Sequence, residues 1–86
     1  MSTVTLYGRP GCHLCDDALA VIDRLRARVA FDFEPCDIET DEALFSRYLE
    51  RIPVVTVDGV EVCELFVDER QLEWALTNCG DHARPQ

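Results

Sequence analysis

Lysine is absent from this 86-residue chain, and all eight basic residues are arginine. Against 17 acidic residues they leave a formal charge of -9. A surface of that sign repels phosphate backbones and anionic lipid, which argues against a nucleic-acid or membrane-surface role. The chain also lacks any apolar run near the ~20 residues that span a bilayer. Its first residues, Met1-Ser2-Thr3-Val4, carry none of the basic character that opens a signal peptide, so a cytoplasmic location is expected. A second hydrophobic core would need more chain than this. With no internal repeat and no linker, residues 1–86 are expected to form one domain with a frayed tail over residues 81–86. What is present, 48% apolar and 29% charged residues, is the balance of a soluble globular protein.

Cysteine falls at positions 12, 15, 36, 63 and 79. An odd number in a chain without an export signal argues against a framework of structural disulfides and leaves metal binding or redox chemistry. Two of the five stand three apart, as Cys12-His13-Leu14-Cys15. Composition alone gives roughly 0.2 such pairs, so the spacing gains weight only from its surroundings.

Those surroundings are a strand and a helix. Thr3 to Tyr7 is rich in β-branched and aromatic residues and is bounded by Gly8, Pro10 and Gly11, which predicts a strand running into a sharp loop. From Leu14 the apolar positions Ala18, Val21, Ile22, Leu25 and Val29 recur with helical spacing. Acids lie early in this helix and arginines late, as the helix dipole prefers. Cys12 and Cys15 therefore fall in the first turn. Ala30 to Glu34 alternates apolar and acidic residues before Pro35, which predicts a second strand, and a strand-helix-strand unit of this length makes the two strands parallel. Val29 fits either element. Thr40 or Asp41 caps a second helix with Leu44, Phe45 and Tyr48 on its apolar side, ending before Pro53.

Val54 to Val57, the Asp58-Gly59 dipeptide of a type I′ turn, and Val60 to Leu65 predict an antiparallel hairpin. Asp68 with Gln71 has the form of a capping box, opening a last helix that carries Leu72, Ala75, Leu76 and Cys79 and stops at Gly80. The order is β-α-β-α-β-β-α, an α/β domain.

This order, with Leu6-Tyr7 leading to Cys12-His13-Leu14-Cys15, then Arg51-Ile52-Pro53-Val54, then Asp58-Gly59, resembles the thioredoxin fold over nearly the whole chain, and by size its glutaredoxin branch. The resemblance implies a four-stranded mixed sheet in the order 2-1-3-4, with helices one and three on one face and helix two on the other. It also implies a thiol-disulfide oxidoreductase that reduces protein disulfides and serves cell redox homeostasis. No tightly bound cofactor or metal is implied. The partners would be disulfide-containing proteins and an electron source, either glutathione as co-substrate or a reductase of the thioredoxin type. A monomer is expected, with Phe66 and Trp74 available to a partner.

The residues suit that chemistry. The attacking species is a thiolate, and the free N–H groups and dipole of a helix start favour a negative sulfur. Cys12 is read as the nucleophile and Cys15 as the resolving thiol. Arg9 and His13 are near enough in sequence to stabilise the sulfur, and Arg9 stands near a lysine of glutaredoxin-like proteins; Arg9 is equally readable as a solvated side chain, and His13 reads more readily as one. Asp16 and Asp17 suit the dipole but oppose a thiolate. The resemblance implies a cis bond before Pro53, opposite the dithiol, with the N–H and C=O of Ile52 offered to an extended substrate. Glutaredoxins carry a Gly-Gly pair for glutathione at the end of the fourth strand, where this chain reads Val62-Cys63-Glu64-Leu65-Phe66-Val67-Asp68. Glu64, Asp68 and Glu69 would repel the tripeptide's carboxylates unless Arg9 and Arg51 compensate. Cys36, Cys63 and Cys79 read as small buried hydrophobes. Two further functions fit the same residues: a metal or iron-sulfur carrier using Cys12, Cys15 and His13, and a non-catalytic module that binds partners through the groove.

Overall fold

β1 spans Thr3–Gly8, α1 His13–Arg26, β2 Asp32–Asp37, α2 Glu42–Tyr48, β3 Val54–Val57, β4 Val60–Glu64 and α3 Glu69–Asn78, with a 3-10 turn at Ile38–Thr40. The computed structural model describes residues 2–78. The sheet order is β2-β1-β3-β4. β1 runs parallel to β2 and antiparallel to β3, which pairs antiparallel with β4.

Every residue of β3 is buried, as a central strand covered on both faces requires. Its side chains divide by parity. Val55 and Val57 join Val4, Leu6, Ala18, Ile22, Leu25, Leu72, Ala75 and Leu76 beneath α1 and α3. Val54 joins Cys15, Ile38, Tyr48 and Ile52, with Leu44 and Phe45 of α2 packed against them. Helices one and three thus cover one face and helix two the other. Three ion pairs, Arg24–Glu69, Arg28–Glu69 and Arg28–Glu73, tie α1 to α3 at the surface. Hydrogen bonds from Arg28 and then Arg24 hold the Glu69 carboxyl below its ordinary value.

The local signals held in most places. Asp58 at φ 52° and Gly59 at φ 87° form the hairpin turn, and Asp58 Oδ1 accepts the Thr3 N–H at 2.9 Å. Asp41, rather than Thr40, caps α2 through the N–H groups of Ala43 and Leu44.

Four boundaries differ from expectation. β2 begins later and runs through Pro35 instead of stopping before it; it is an edge strand, where a missing N–H can face away from the ladder. Val29 belongs to neither α1 nor β2: it lies in the connecting turn, its N–H donating to the Leu25 carbonyl at 2.8 Å. The capping box is half made. Asp68 Oδ1 accepts the N–H groups of Arg70 and Gln71, but the Gln71 side chain donates to the Val62 carbonyl at 3.0 Å. A register shift between Val55 and Thr56 leaves Val62 unpaired in β4, and Gln71 satisfies the carbonyl that this bulge releases. β4 stops at Glu64 because Leu65 turns to φ 69°. The expected end of the last helix at Gly80, Cys79 on its stripe and the tail 81–86 lie outside the described residues. Among the described residues no helix is long and apolar enough to cross a membrane.

Candidate active site

The loop from β1 to α1 turns at Gly11, where φ is 81°, and delivers Cys12 to the N-cap of α1 with extended backbone angles. Its sulfur accepts the Cys15 N–H at 3.1 Å, and its carbonyl accepts the Asp16 N–H at 3.1 Å. A cap oxygen is thereby replaced by sulfur, with a backbone donor aimed at it. Cys12 and Cys15 form a disulfide with Cα atoms 5.1 Å apart. Their exposures differ: Cys15 is 8% exposed, whereas Cys12 is only partly buried against the same cluster as Ile52 and Val54. An incoming group meets the Cys12 sulfur first.

Gly8, which in the sequence marks only the end of a strand, makes room for this arrangement. A Cβ at Gly8 would lie 2.8 Å from Cys15 Sγ and 3.3 Å from Cys15 Cβ. The sulfur is held by its bond to Cys12 and cannot rotate away. Gly8→Ala is expected to lower the stability of the oxidised protein by about 1–3 kcal/mol. The loss should be smaller in the reduced protein, whose Cys15 side chain is free to change rotamer. Urea midpoints of the two forms, measured side by side, check this.

The Ile52-Pro53 bond is cis, as the resemblance implies. The Ile52 N–H, however, donates to the Tyr48 carbonyl at 3.0 Å. It closes the end of α2, leaving the carbonyl as the backbone group Ile52 can offer a substrate. Pro53 is followed closely by the turn after β4: the Leu65 N–H lies 2.9 Å from the Pro53 carbonyl and 3.1 Å from that of Arg51. Leu65 occupies the left-handed region without being glycine, and the Phe66 N–H bonds back to the Glu64 carbonyl at 2.7 Å. Such a γ-turn projects Phe66, which is 73% exposed.

The two arginines expected to compensate the acids are already engaged. Arg9 pairs with Glu39 at 2.8 Å and lies over the Phe45 ring. Arg51 pairs with Glu61 and with Glu64, the latter at 2.9 Å, and lies over Tyr48. Hydrogen bonds that it donates to Glu61 and then to Glu64 raise its proton affinity above the ordinary value. His13 is exposed on the first turn of α1. Tyr7 and Tyr48, stacked with ring centroids 4.7 Å apart, form a platform under the site that the sequence did not mark as a pair; burial, then Tyr48 and Cys36, raise the Tyr7 hydroxyl.

Of the other thiols, Cys63 is buried and Cys36 only half-buried, short of the full burial expected of it. Burial raises both above the ordinary thiol value; Asp37 and Asp41 add to it at Cys36, while a backbone hydrogen bond involving Asp68 opposes it at Cys63. Both stay protonated at neutral pH. Among the described residues no group of three or more histidine, cysteine or acidic side chains is arranged to hold a metal ion.

The profile of the Glutaredoxin-like domain (DUF836) matches residues 3–77. The chain belongs to this glutaredoxin-like family. Protein Ne2328 from Nitrosomonas europaea, known from a solution NMR structure, is 31% identical, with a TM-score of 0.77 over 87% of this chain and 91% of its own. The X-ray structure of XcR50 from X. campestris is 37% identical, with a TM-score of 0.70 over 86% of this chain and 95% of its own. A thioredoxin variant from Halobacterium salinarum NRC-1, 22% identical, shares the fold with a TM-score of 0.67 over 90% of this chain and 73% of its own. No curated protein matches the chain. The glutaredoxin-like chain therefore keeps the thioredoxin fold and the paired cysteines of the helix start, while its β4 end carries Glu64-Leu65-Phe66.

Proposed function

We propose that this glutaredoxin-like protein is a dithiol oxidoreductase that reduces disulfides in other proteins. The observation that carries the reading is the Cys12–Cys15 pair itself, with the accessible sulfur at the helix cap and the second sulfur buried beside it. In the reduced protein the Cys12 thiolate attacks one sulfur of a substrate disulfide, forming a mixed disulfide and releasing the other substrate sulfur as a thiolate. Cys15, after losing its proton, attacks the Cys12 sulfur. The second substrate thiolate leaves and the Cys12–Cys15 disulfide forms. Two electrons pass from the protein to the substrate, and the adjacency of the thiols makes the second step intramolecular. Reduction is the direction suited to a cytoplasmic setting.

The same reading extends to the electron source. Glutathione carries two carboxylates, and the arginines that would receive them are bound to Glu39, Glu61 and Glu64. The glycine pair that would let it approach the backbone is absent from the run Val62-Cys63-Glu64-Leu65-Phe66-Val67-Asp68. These features support recharging by a dithiol reductase of the thioredoxin type. The oxidised protein is expected to be reduced at least about tenfold faster by such a reductase than by millimolar glutathione, followed by NADPH consumption. Equal rates would reject this choice of reductant. The central test of the function is the loss of disulfide turnover in Cys12→Ser.

A further inference from the structure

A cleft of about 380 Å³ opens between the start of α1 and the β1–β2 edge. Cys15 lines it, whereas Cys12, Ile52 and Pro53 do not. Its walls are apolar, built from Leu6, Pro10, Leu19 and Pro35, and its rim carries Asp16, Asp37 and Arg9. Arg9 is neutralised by Glu39. Asp16 and Asp37 have no ion-pair partner among the described residues, although Asp37 accepts the Glu39 N–H. The rim is therefore left with two negative charges above an apolar floor. An acidic side chain is excluded by the rim, and a purely apolar one leaves the rim's charges uncompensated.

We propose that this cleft is a specificity pocket for a lysine or arginine side chain flanking the substrate's disulfide. The proposal rests on the oxidoreductase reading and names the substrate class of that same site. The aliphatic stem of such a side chain lies along Leu6, Leu19 and Pro35, and its cation reaches Asp16 and Asp37, the division of labour that long basic side chains allow. Asp16 immediately follows Cys15, so an occupied cleft places the substrate chain beside the dithiol. The net charge of -9 draws the same class of partner at longer range.

The test uses the reduced full chain and synthetic peptide dimers joined by one intermolecular disulfide. The residue beside the cysteine is lysine, norleucine, diaminopropionic acid or glutamate, and peptide thiol release is followed in single turnover by mass spectrometry. The lysine peptide is expected to react about tenfold faster than the norleucine peptide at low salt, and the advantage should shrink in 1 M salt. Diaminopropionic acid, with the charge but not the stem, should gain little. Asp16→Asn should remove most of the lysine-to-norleucine ratio, while Asp23→Asn, the same charge change further along the same helix, should leave it. Because each variant is read as a ratio between peptides, any effect of Asp16 on the Cys12 thiolate cancels. Equal rates for lysine and diaminopropionic acid, or equal losses in Asp16→Asn and Asp23→Asn, would show the general field of the protein acting and overturn the pocket. Exchange at one rate with every peptide overturns the pocket and leaves the oxidoreductase standing, whereas failure of all four peptides to exchange overturns both.

Discussion

Cys12→Ser is expected to lose disulfide reduction by a factor on the order of a thousand or more. A serine hydroxyl keeps the helix cap, since its oxygen can accept the Cys15 N–H as the sulfur does at 3.1 Å. It cannot form or leave a disulfide at neutral pH, so the structure survives while the chemistry does not. Cys15→Ser should behave differently. The first attack needs only Cys12, so this variant should accumulate a mixed disulfide with its substrate, visible as an added mass on the intact protein. The buried position of Cys15, at 8% exposure, means that little else can perform its step. Measured together, turnover and trapped adduct separate the roles. Undiminished turnover in Cys12→Ser would end the oxidoreductase reading, and an untrapped Cys15→Ser would remove Cys15 from the resolving role. Neither result depends on the identity of the natural substrate.

The sequence made the strand-helix placement of this pair legible because each signal there is local. Gly11 marks a turn that needs positive φ, Asp41 marks a cap, and Asp58-Gly59 marks a hairpin, each needing only its neighbours. The features that escaped are tertiary. Gly8 matters because a sulfur seven residues away sits over it, and nothing in Leu6-Tyr7-Gly8 reveals that. Gln71 looked like half of a capping box, and its use by the Val62 carbonyl follows from a bulge that only strand pairing creates. The engagement of Arg9 with Glu39 and of Arg51 with Glu61 and Glu64 has the same origin. Charges counted along the chain give a net charge, but only their pairing in space shows which arginines are spent within the fold. Leu65 carries no signal at all for its left-handed backbone. That turn is where the chain departs from the glycine-bearing pattern it otherwise resembles, and it stands next to the Pro53 carbonyl.

Ile22→Ala is expected to destabilise the protein by about 3–4 kcal/mol, the cost of losing a fully buried aliphatic group and leaving a cavity. Ile22 is fully buried and packs in the cluster formed by α1, α3 and the sheet. It lies seven residues beyond Cys15, about two helical turns, on the same side of α1 as Cys15, Ala18 and Leu25. The same inward stripe therefore seats the helix on the sheet and buries the resolving sulfur. A small domain holds only about 5–15 kcal/mol in total, so this one substitution removes a large part of its margin. Ile22→Val, which keeps most of the volume, should cost about 1 kcal/mol. Urea unfolding should show the midpoint falling in that order with the slope unchanged, since the surface exposed on unfolding is nearly the same. The reaction at Cys12 should respond differently. The N-cap contacts of Cys12, the Cys15 N–H to its sulfur and the Asp16 N–H to its carbonyl, lie two turns away, so turnover per folded molecule should stay within about twofold of the parent at low temperature. A cost below about 1 kcal/mol for Ile22→Ala would mean that α1 is not seated as described. A large fall in turnover in fully folded Ile22→Val would show that the dithiol depends on the packing of the whole helix rather than on its first turn.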